Sequence, residues 1–306
     1  MKIISVILLL VISVFDCRDM NAQDASELHA YGTSKMAVNE YSAAEESFDK
    51  AISLDSNHVA SYIDRAVVRQ MVGDLNGALT DLNKAIQLDP FNALAIGNRG
   101  VILEKFGDHS SAMDDLNRAI GLDTNDATSI LNRGLIRSRT NDHVGAMSDY
   151  LKAIDLNPNY ARAYYLRGLL HAGDGNYDAA LLDFTKAIEL EPRSALAYCD
   201  RASVHEHVGE FVKALQDFDT SISIEPRNPR TFRNRGIAKE KAGDVEGAIS
   251  DYSEAIRLDG NYATAFLDRG VAYYRSGDST NACLDLNVAA ELGYEQASLL
   301  LEDICQ

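Results

Sequence analysis

The sequence predicts an all-helical solenoid assembled from antiparallel helix pairs, and three observations carry that prediction. The first is a period. The motif A-I-x-L recurs as AISLD at Ala51, AIQLD at Ala85, AIGLD at Ala119, AIDLN at Ala153, AIELE at Ala187, SISIE at Ser221, AIRLD at Ala255 and AAELG at Ala289. Each start lies 34 residues after the last, without an insertion or deletion. A fixed period of this size marks an array whose units bury their cores only by stacking on one another. The second is the punctuation inside the period. Small residues recur at the eighth place (Gly32, Ala66, Gly100, Gly134, Gly168, Ala202, Gly236, Gly270), and Gly or Asn at the fifteenth (Asn39, Gly73, Gly107, Asn141, Gly175, Gly209, Gly243, Gly277). Gly and Asn tolerate the left-handed backbone that ends a helix. The third is an apolar stripe: Ala at the twentieth place of every repeat, from Ala44 to Ala282, and a large apolar residue four further on (Phe48, Leu82, Leu116, Tyr150, Phe184, Phe218, Tyr252, Leu286). Ala51 and its counterparts follow three later, and spacings of four and three fall on one helix face.

In chain order, residues 1–22 read as a secretory signal. Lys2 precedes an apolar run, Ile3 to Phe15, that is too short to span a bilayer, and the small residue Ala22 places the expected cleavage before Gln23. A lipid-anchored alternative would modify Cys17, but Phe15 and Asp16 stand where such signals carry small residues. An uncleaved anchor is a further alternative. The segment reads as bacterial, so the periplasm or cell envelope is the expected address, with no transmembrane segment in the mature chain.

Residues 23–296 form the expected solenoid, in repeats 25–58, 59–92, 93–126, 127–160, 161–194, 195–228, 229–262 and 263–296. Each repeat reads as a first helix, a turn at the fifteenth place and a second helix. Asp74, Asp108, Asp142, Asn176 and Asp244 follow the turn and suit the cap of the second helix. The small residue at the eighth place lets the two helices approach, and the large one at the twenty-fourth fills the gap between them. Residues 297–306 then read as a capping helix.

Composition narrows the function. The chain has 46% hydrophobic residues, no Trp and a formal net charge of -17. That balance argues against a nucleic-acid partner, because phosphate binding needs clustered Lys and Arg. It fits a self-repelling surface and cationic or neutral ligands.

At this point the sequence resembles the tetratricopeptide repeat family across residues 25–296. The match rests on the period of 34, the small residue at the eighth place, Ala at the twentieth and twenty-seventh, the large apolar residue at the twenty-fourth, and Pro at the thirty-second (Pro90, Pro158, Pro192, Pro226). The resemblance implies a right-handed superhelix whose first helices line a concave groove, with places 2, 5, 6, 9, 12 and 13 facing inward. The chain departs from the family at the seventh place, where Arg replaces the frequent Leu from the second repeat onward. The first repeat is the weakest, with Tyr31 at the seventh place and Ser47 at the twenty-third.

That Arg has a partner in phase. Arg65 and Asp81, Arg99 and Asp115, Arg133 and Asp149, Arg167 and Asp183, Arg201 and Asp217, Arg235 and Asp251, and Arg269 and Asp285 all stand sixteen residues apart. The first repeat carries neither member. A planar guanidinium binds a carboxylate with two parallel bonds while its stem packs. A catalytic pair would occur once, whereas a pair copied through the array is architecture. Whether each Arg meets the Asp of its own repeat or of a neighbour is open at this level.

The inward sixth place holds Asp64, Asn98, Asn132, Leu166, Asp200, Asn234 and Asp268. In some family members an Asn ladder here holds an extended peptide by its backbone, because an Asn amide both donates and accepts. The competing reading has these residues bonding the local helix or a neighbouring Arg, and the sequence leaves both open. Asp accepts but does not donate, and Leu166 interrupts the ladder. Around it lie Arg162, Tyr165, Arg230, Arg233, Lys241, Tyr274 and Arg275, suited to acidic or aromatic parts of a partner. The Lys and Asn set of a carboxylate clamp is not found.

Nothing points to chemistry. The glycines follow the repeat, the HEH at His205 to His207 lacks the i,i+4 spacing of a metal pair, and no nucleophile stands beside a base. No catalytic residue, metal site or cofactor is expected. His171 and His205 share the eleventh place with Arg69, Arg137 and Lys239, a polar packing position. Cys283 lies about ten residues before the turn at Gly293 and Cys305 about eleven after it, so antiparallel helices place both at one height. A disulfide between them is expected in an oxidising compartment, against the alternative of two buried thiols. Cys199 reads as a small packing residue.

The expected function is a non-catalytic exported scaffold that binds a protein or extended peptide along the concave face. Two alternatives stand beside it: an assembly adaptor acting through convex or end surfaces, and a module for an envelope glycan polymer that stacks on Tyr165 and Tyr274.

Overall fold

A computed structural model of the chain describes residues 24–305. The signal reading, Cys17 and the cleavage after Ala22 lie outside the described residues. Within them the chain forms helices joined by short turns and divides into two compact units, one ending at Asn141 and one beginning at Asp142. The first unit contains α1 (Ala25–Ala37), α2 (Tyr41–Leu54), α3 (Val59–Val72), α4 (Leu75–Leu88), α5 (Ala93–Lys105), α6 (His109–Leu122) and α7 (Ala127–Arg139). The second contains α8 (His143–Leu156), α9 (Ala161–Gly173), α10 (Tyr177–Leu190), α11 (Ala195–His207), α12 (Phe211–Ile224), α13 (Pro229–Lys241), α14 (Val245–Leu258), α15 (Ala263–Arg275), α16 (Ser279–Glu291) and α17 (Glu295–Ile304).

The turn between the helices of a repeat is set by its fifteenth residue. Asn39 and Asn141 have φ of 61° and 63°, and Gly73, Gly107, Gly175, Gly209, Gly243 and Gly277 lie between 77° and 91°. The next residue opens the second helix. Asp74, Asp108, Asp142, Asp244 and Asp278 each accept a bond from the backbone N–H three residues on, at 2.9–3.1 Å. Asn176 occupies the same cap without such a bond, and Glu40 and Glu210 are too long to make it.

The stripe of the second helix meets the small residue of the first in the repeats of Gly32, Gly100, Gly168, Gly236 and Gly270. Phe48, Phe184, Phe218 and Tyr252 are at most 1% exposed, and burying such a ring contributes about 1.5–3 kcal/mol. Glycine opposite the ring is a steric requirement in three repeats. A Cβ on Gly32, Gly168 or Gly236 would lie 2.6, 2.9 or 2.5 Å from the ring of Phe48, Phe184 or Tyr252.

The Arg at the seventh place meets the Asp of its own repeat. In the six pairs that lie within one unit, Arg Nε and Nη2 donate to the two oxygens of Asp81, Asp115, Asp183, Asp217, Asp251 or Asp285 at 2.5–2.8 Å. These carboxylates are 2–8% exposed. The fourth pair falls one member to each unit, Arg133 in the first and Asp149 in the second.

A third nitrogen adds a tie that the sequence left open. Nη1 reaches sixteen residues back, to the second helix of the preceding repeat: Arg65 to Asp49, Arg99 to Asn83, Arg133 to Asn117, Arg201 to Thr185, Arg235 to Asp219 and Arg269 to Ser253, at 2.5–3.0 Å. Arg167 makes no such bond, because the matching residue is Leu151. The guanidinium also stacks on the ring three residues earlier, at 5.5–5.7 Å from Tyr62, Tyr164, Tyr198, Phe232 and Phe266. Arg65, Arg99, Arg167, Arg201, Arg235 and Arg269 thus each join two helices of their own repeat, and all but Arg167 also hold the repeat before. These bonds, led by the Asp partners, raise the pKa of Arg99, Arg167, Arg201, Arg235 and Arg269.

The array ends on α17, which begins at Glu295, two residues before the expected start. Residue 295 can open the helix because Gly293, at φ 88°, has already turned the chain. Ala297, Leu300, Leu301 and Ile304 cover Leu267, Leu286 and Ala289. A disulfide joins Cys283 on α16 to Cys305 after α17, with Cα atoms 5.8 Å apart.

Candidate functional site

Within each unit the first helices of successive repeats touch one another: α1 with α3, α3 with α5 and α5 with α7 in the first, and α9 with α11, α11 with α13 and α13 with α15 in the second. No contact of comparable extent joins successive second helices within a unit. The first-helix side is therefore the inside of each unit's curve, the side to which the family resemblance assigns places 2, 5, 6, 9, 12 and 13 of each repeat.

The sixth-place residues divide into two kinds, and the divide follows their neighbours. Asp64, Asp200, Asn234 and Asp268 each contact the fifth-place residue of the preceding repeat, 35 positions earlier. Where that neighbour is a donor, the sixth place is Asp. Asp64 bonds His29 Nε2 at 2.8 Å, Asp200 accepts from Tyr165 Oη at 2.7 Å, and Asp268 accepts from Arg233 Nε at 2.6 Å. Asp200 also accepts from Arg230 at 2.8 Å. Where the neighbour is Ile63, Gly97 or Cys199, the sixth place is Asn98, Asn132 or Asn234.

Of the two readings of the sixth place, the three Asp residues follow the one in which they bond a neighbouring first helix. The three Asp residues close bonds between adjacent first helices, and a carboxylate already holding a donor in a half-buried site is poorly placed to grip a peptide. Asn132 is 7% exposed and spends its amide N–H on Thr128 O at 2.9 Å. Two amides keep free capacity. Asn98 is partly exposed and its side chain makes no hydrogen bond among the described residues. Asn234 contacts only Cys199 Sγ, a weak acceptor 3.9 Å away, which leaves its carbonyl oxygen open. Leu166 is partly exposed on α9.

A second set of ties runs along the far end of the same helices. Glu at the twelfth place pairs with a cation at the thirteenth of the next repeat: Glu104 with Arg139 in the first unit, and Glu206 with Lys241 and Glu240 with Arg275 in the second. The carboxylate side chains are 13–14% exposed and their cations 53–61%. The acids lie against the helices and the bases reach into the groove. Both sets were readable as recurring partners 35 residues apart, a spacing hidden when the repeats are compared only place by place.

The buried groups are tuned by these contacts. Burial and then Asp200 push the Tyr165 phenol up, and burial and Glu240 do the same to Tyr252. Burial raises Asp268 despite the Arg233 guanidinium beside it. Burial also raises the Cys199 thiol, which is 3% exposed beneath Thr231 and Asn234. His205 bonds Glu210 at 2.7 Å and His207 lies against the Tyr177 ring, so the HEH segment is spent on packing. His171 stands 4.0 Å from Asp183. Among the described residues no helix is long and apolar enough to cross a membrane.

Comparison with known proteins agrees with this geometry. Family models described as TPR repeat match residues 139–175 and 241–277, and models described as tetratricopeptide repeat match 28–58, 63–127 and 161–194. No curated protein matches the chain. Among solved structures, it is similar to a tetratricopeptide repeat protein from Parabacteroides merdae, with 24% identity and a TM-score of 0.60 over 81% of this chain and 99% of that one. It is similar to a chain of the APC/C hetero-tetramer Cut9-Hcn1, with 17% identity and a TM-score of 0.71 over 87% of this chain and 53% of that longer one. It is also similar to YrrB, described as a TPR protein with an unusual peptide-binding site, with 20% identity and a TM-score of 0.50 over 60% of this chain and 95% of that one. The period, the paired helices and these matches agree: the chain belongs to the tetratricopeptide repeat family.

Proposed function

We propose that the protein is a non-catalytic scaffold, exported to the periplasm or cell envelope, that binds a protein or extended peptide along the inner face of its first helices. The observation that carries this reading is the division at the sixth place. Asp64, Asp200 and Asp268 are committed to the protein itself, whereas Asn98 and Asn234 offer uncommitted amide groups to the groove. A partly buried amide without a partner forgoes about 1 kcal/mol of hydrogen bonding, which a peptide N–H and C=O restore together. The peptide-binding site described for YrrB supports the same class of ligand by analogy of fold. The address rests on the reading of residues 1–22 and is tested by detecting the processed chain in a periplasmic fraction.

The binding test replaces Asn98 and Asn234 by Ala and measures capture of a partner from envelope extract, with circular dichroism to show that the fold is intact. Loss of the partner places binding in the groove. Full retention assigns it elsewhere, and one feature favours an adaptor in that case. On the second helices of the second unit, Val144, Leu182 and Val212 are 85%, 73% and 72% exposed, apolar surface on the outer side.

A further inference from the structure

We infer that the inner face of the second unit is a docking surface for an acidic, leucine-bearing extended peptide. This rests on the proposed peptide-binding function and names the chemistry of its ligand. The inward residues of α9, α11, α13 and α15 include five cations, Arg162, Arg230, Arg233, Lys241 and Arg275, and four carboxylates, Asp200, Glu206, Glu240 and Asp268. This wall is net positive in a chain of formal charge -17. The sign seen by a ligand is more positive than that count, because the two kinds of charge lie at different depths. The carboxylate side chains are 9–19% exposed, whereas Arg230, Lys241 and Arg275 are 53–61% exposed. Net charge alone pointed to cationic or neutral ligands, and this face reverses that expectation.

The cations also retain bonding capacity. Arg230 spends only Nη2 on Asp200, and Arg275 only Nη1 on Glu240. A guanidinium has five N–H donors, so each still presents a fork to an incoming carboxylate without releasing its internal partner. Arg162 is exposed and makes no ion pair among the described residues. Apolar side chains stand among these cations. Leu169, Leu196 and Tyr274 are 38%, 47% and 48% exposed, and Leu166, Ile237 and Val271 are partly so. A polyanionic sugar or polyphosphate has no side chains for that ridge, whereas a polypeptide alternating acidic and apolar residues uses both. The open carbonyl of Asn234 at mid-wall accepts a backbone N–H.

The test is fluorescence anisotropy of the purified chain with three labelled dodecapeptides of Leu and Gly interspersed with Glu, Gln or Lys. The expected result is that the Glu peptide binds about ten-fold more tightly than the Gln peptide and that the difference collapses near 1 M salt, where the screening length is ~3 Å. Arg162→Gln, which breaks no internal bond, weakens the Glu peptide about five-fold. Arg193→Gln, at an exposed turn away from the wall, leaves it unchanged. Equal binding of Glu and Gln peptides, or equal effects of Arg162→Gln and Arg193→Gln, overturns the acidic assignment while leaving peptide binding standing. Alginate that competes as strongly as unlabelled Glu peptide overturns the peptide in favour of a polyanion. Binding by none of the three peptides overturns this inference, while the proposed function stands or falls on the capture experiment with Asn98 and Asn234 replaced.

Discussion

Arg201 and Arg235 are equivalent struts in adjacent repeats, yet their removal has unequal consequences. Among the described residues Arg201 is the sole cation bonded to Asp217. Asp251 holds Arg235 and also Lys239, whose Nζ lies 2.9 Å away. In Arg201→Met the buried Asp217 loses its counter-ion, and breaking a buried pair in this way costs about 3–5 kcal/mol. An independent bound comes from protonation. A stranded carboxyl escapes its charge by taking up a proton, which from an ordinary aspartate value of ~3.9 costs about 4 kcal/mol at pH 7. In Arg235→Met the carboxylate keeps Lys239, so the loss is that of bonds to a charged group, about 1.5–2 kcal/mol. The expected gap between the two variants is about 2 kcal/mol at neutral pH.

The gap has a signature in pH. The stranded carboxyl has its folded pKa raised above the unfolded value, so its penalty is complete above the folded pKa and shrinks as pH falls toward the unfolded one. Lowering the pH from about 7 to about 5 removes about 2.7 kcal/mol of the protonation cost and closes the gap. Urea denaturation of the wild-type chain and both variants at the two pH values measures this. Equal losses at neutral pH, or a gap that persists unchanged in acid, refute the reasoning that Lys239 substitutes for the strut.

Three further outcomes follow from the geometry. Gly236→Ala drives a methyl to 2.5 Å from the Tyr252 ring, so it lowers stability by about 1–3 kcal/mol despite the better helix propensity of Ala, as a thermal melt will show. Reduction of the Cys283–Cys305 bond, or Cys305→Ser, removes a crosslink 22 residues apart worth about 3 kcal/mol. Hydrogen exchange then rises in α17 while α13 is unaffected. The caps at Asp108 and Asp278 have pKa values lowered chiefly by backbone N–H groups. Their contribution is therefore present above the unfolded aspartate range and is lost as pH falls through the folded values, so Asp278→Ala lowers the melting temperature at pH 7 but not in strong acid.

The fold was legible because each element is written many times. Turn residues such as Gly73 and Asn141, caps such as Asp244, and the Ala and aromatic stripe of the second helix all recur in phase, and their roles are local. The Arg–Asp pairs were legible as pairs because their presence is correlated from repeat to repeat, but a one-dimensional pattern does not say whether the Asp of the same repeat or of a neighbour is met. The candidate site was read less well. Asp64, Asp200 and Asp268 were grouped with Asn98, Asn132 and Asn234 because they share a place, yet what separates them is the residue beside them on another helix, His29, Tyr165 or Arg233. Asn132 differs for another reason: burial, which the amide identity does not reveal. The depth difference between Glu206 or Glu240 and their cations is likewise a property of packing, invisible to a net charge.

The matching of fifth and sixth places has a consequence for how such an array is rearranged. Repeats that share a backbone are not interchangeable parts. If the sixth and seventh repeats of the second unit exchanged places, Tyr165 would face Asn234 and Arg233 would face Asp200, both workable, but Cys199 would face Asp268, a half-buried carboxylate without a donor. Duplicating the sixth repeat sets Cys199 opposite a copy of Asp200, which then keeps only the Arg230 of the repeat after it. The exchanged joint at Asp268 leaves an acid uncompensated, a cost in kilocalories rather than tenths. The succession of repeats is therefore constrained: a unit with Asp at its sixth place needs a donor in the unit before it, and a chain shuffled against that rule keeps its fold class while losing compensated junctions.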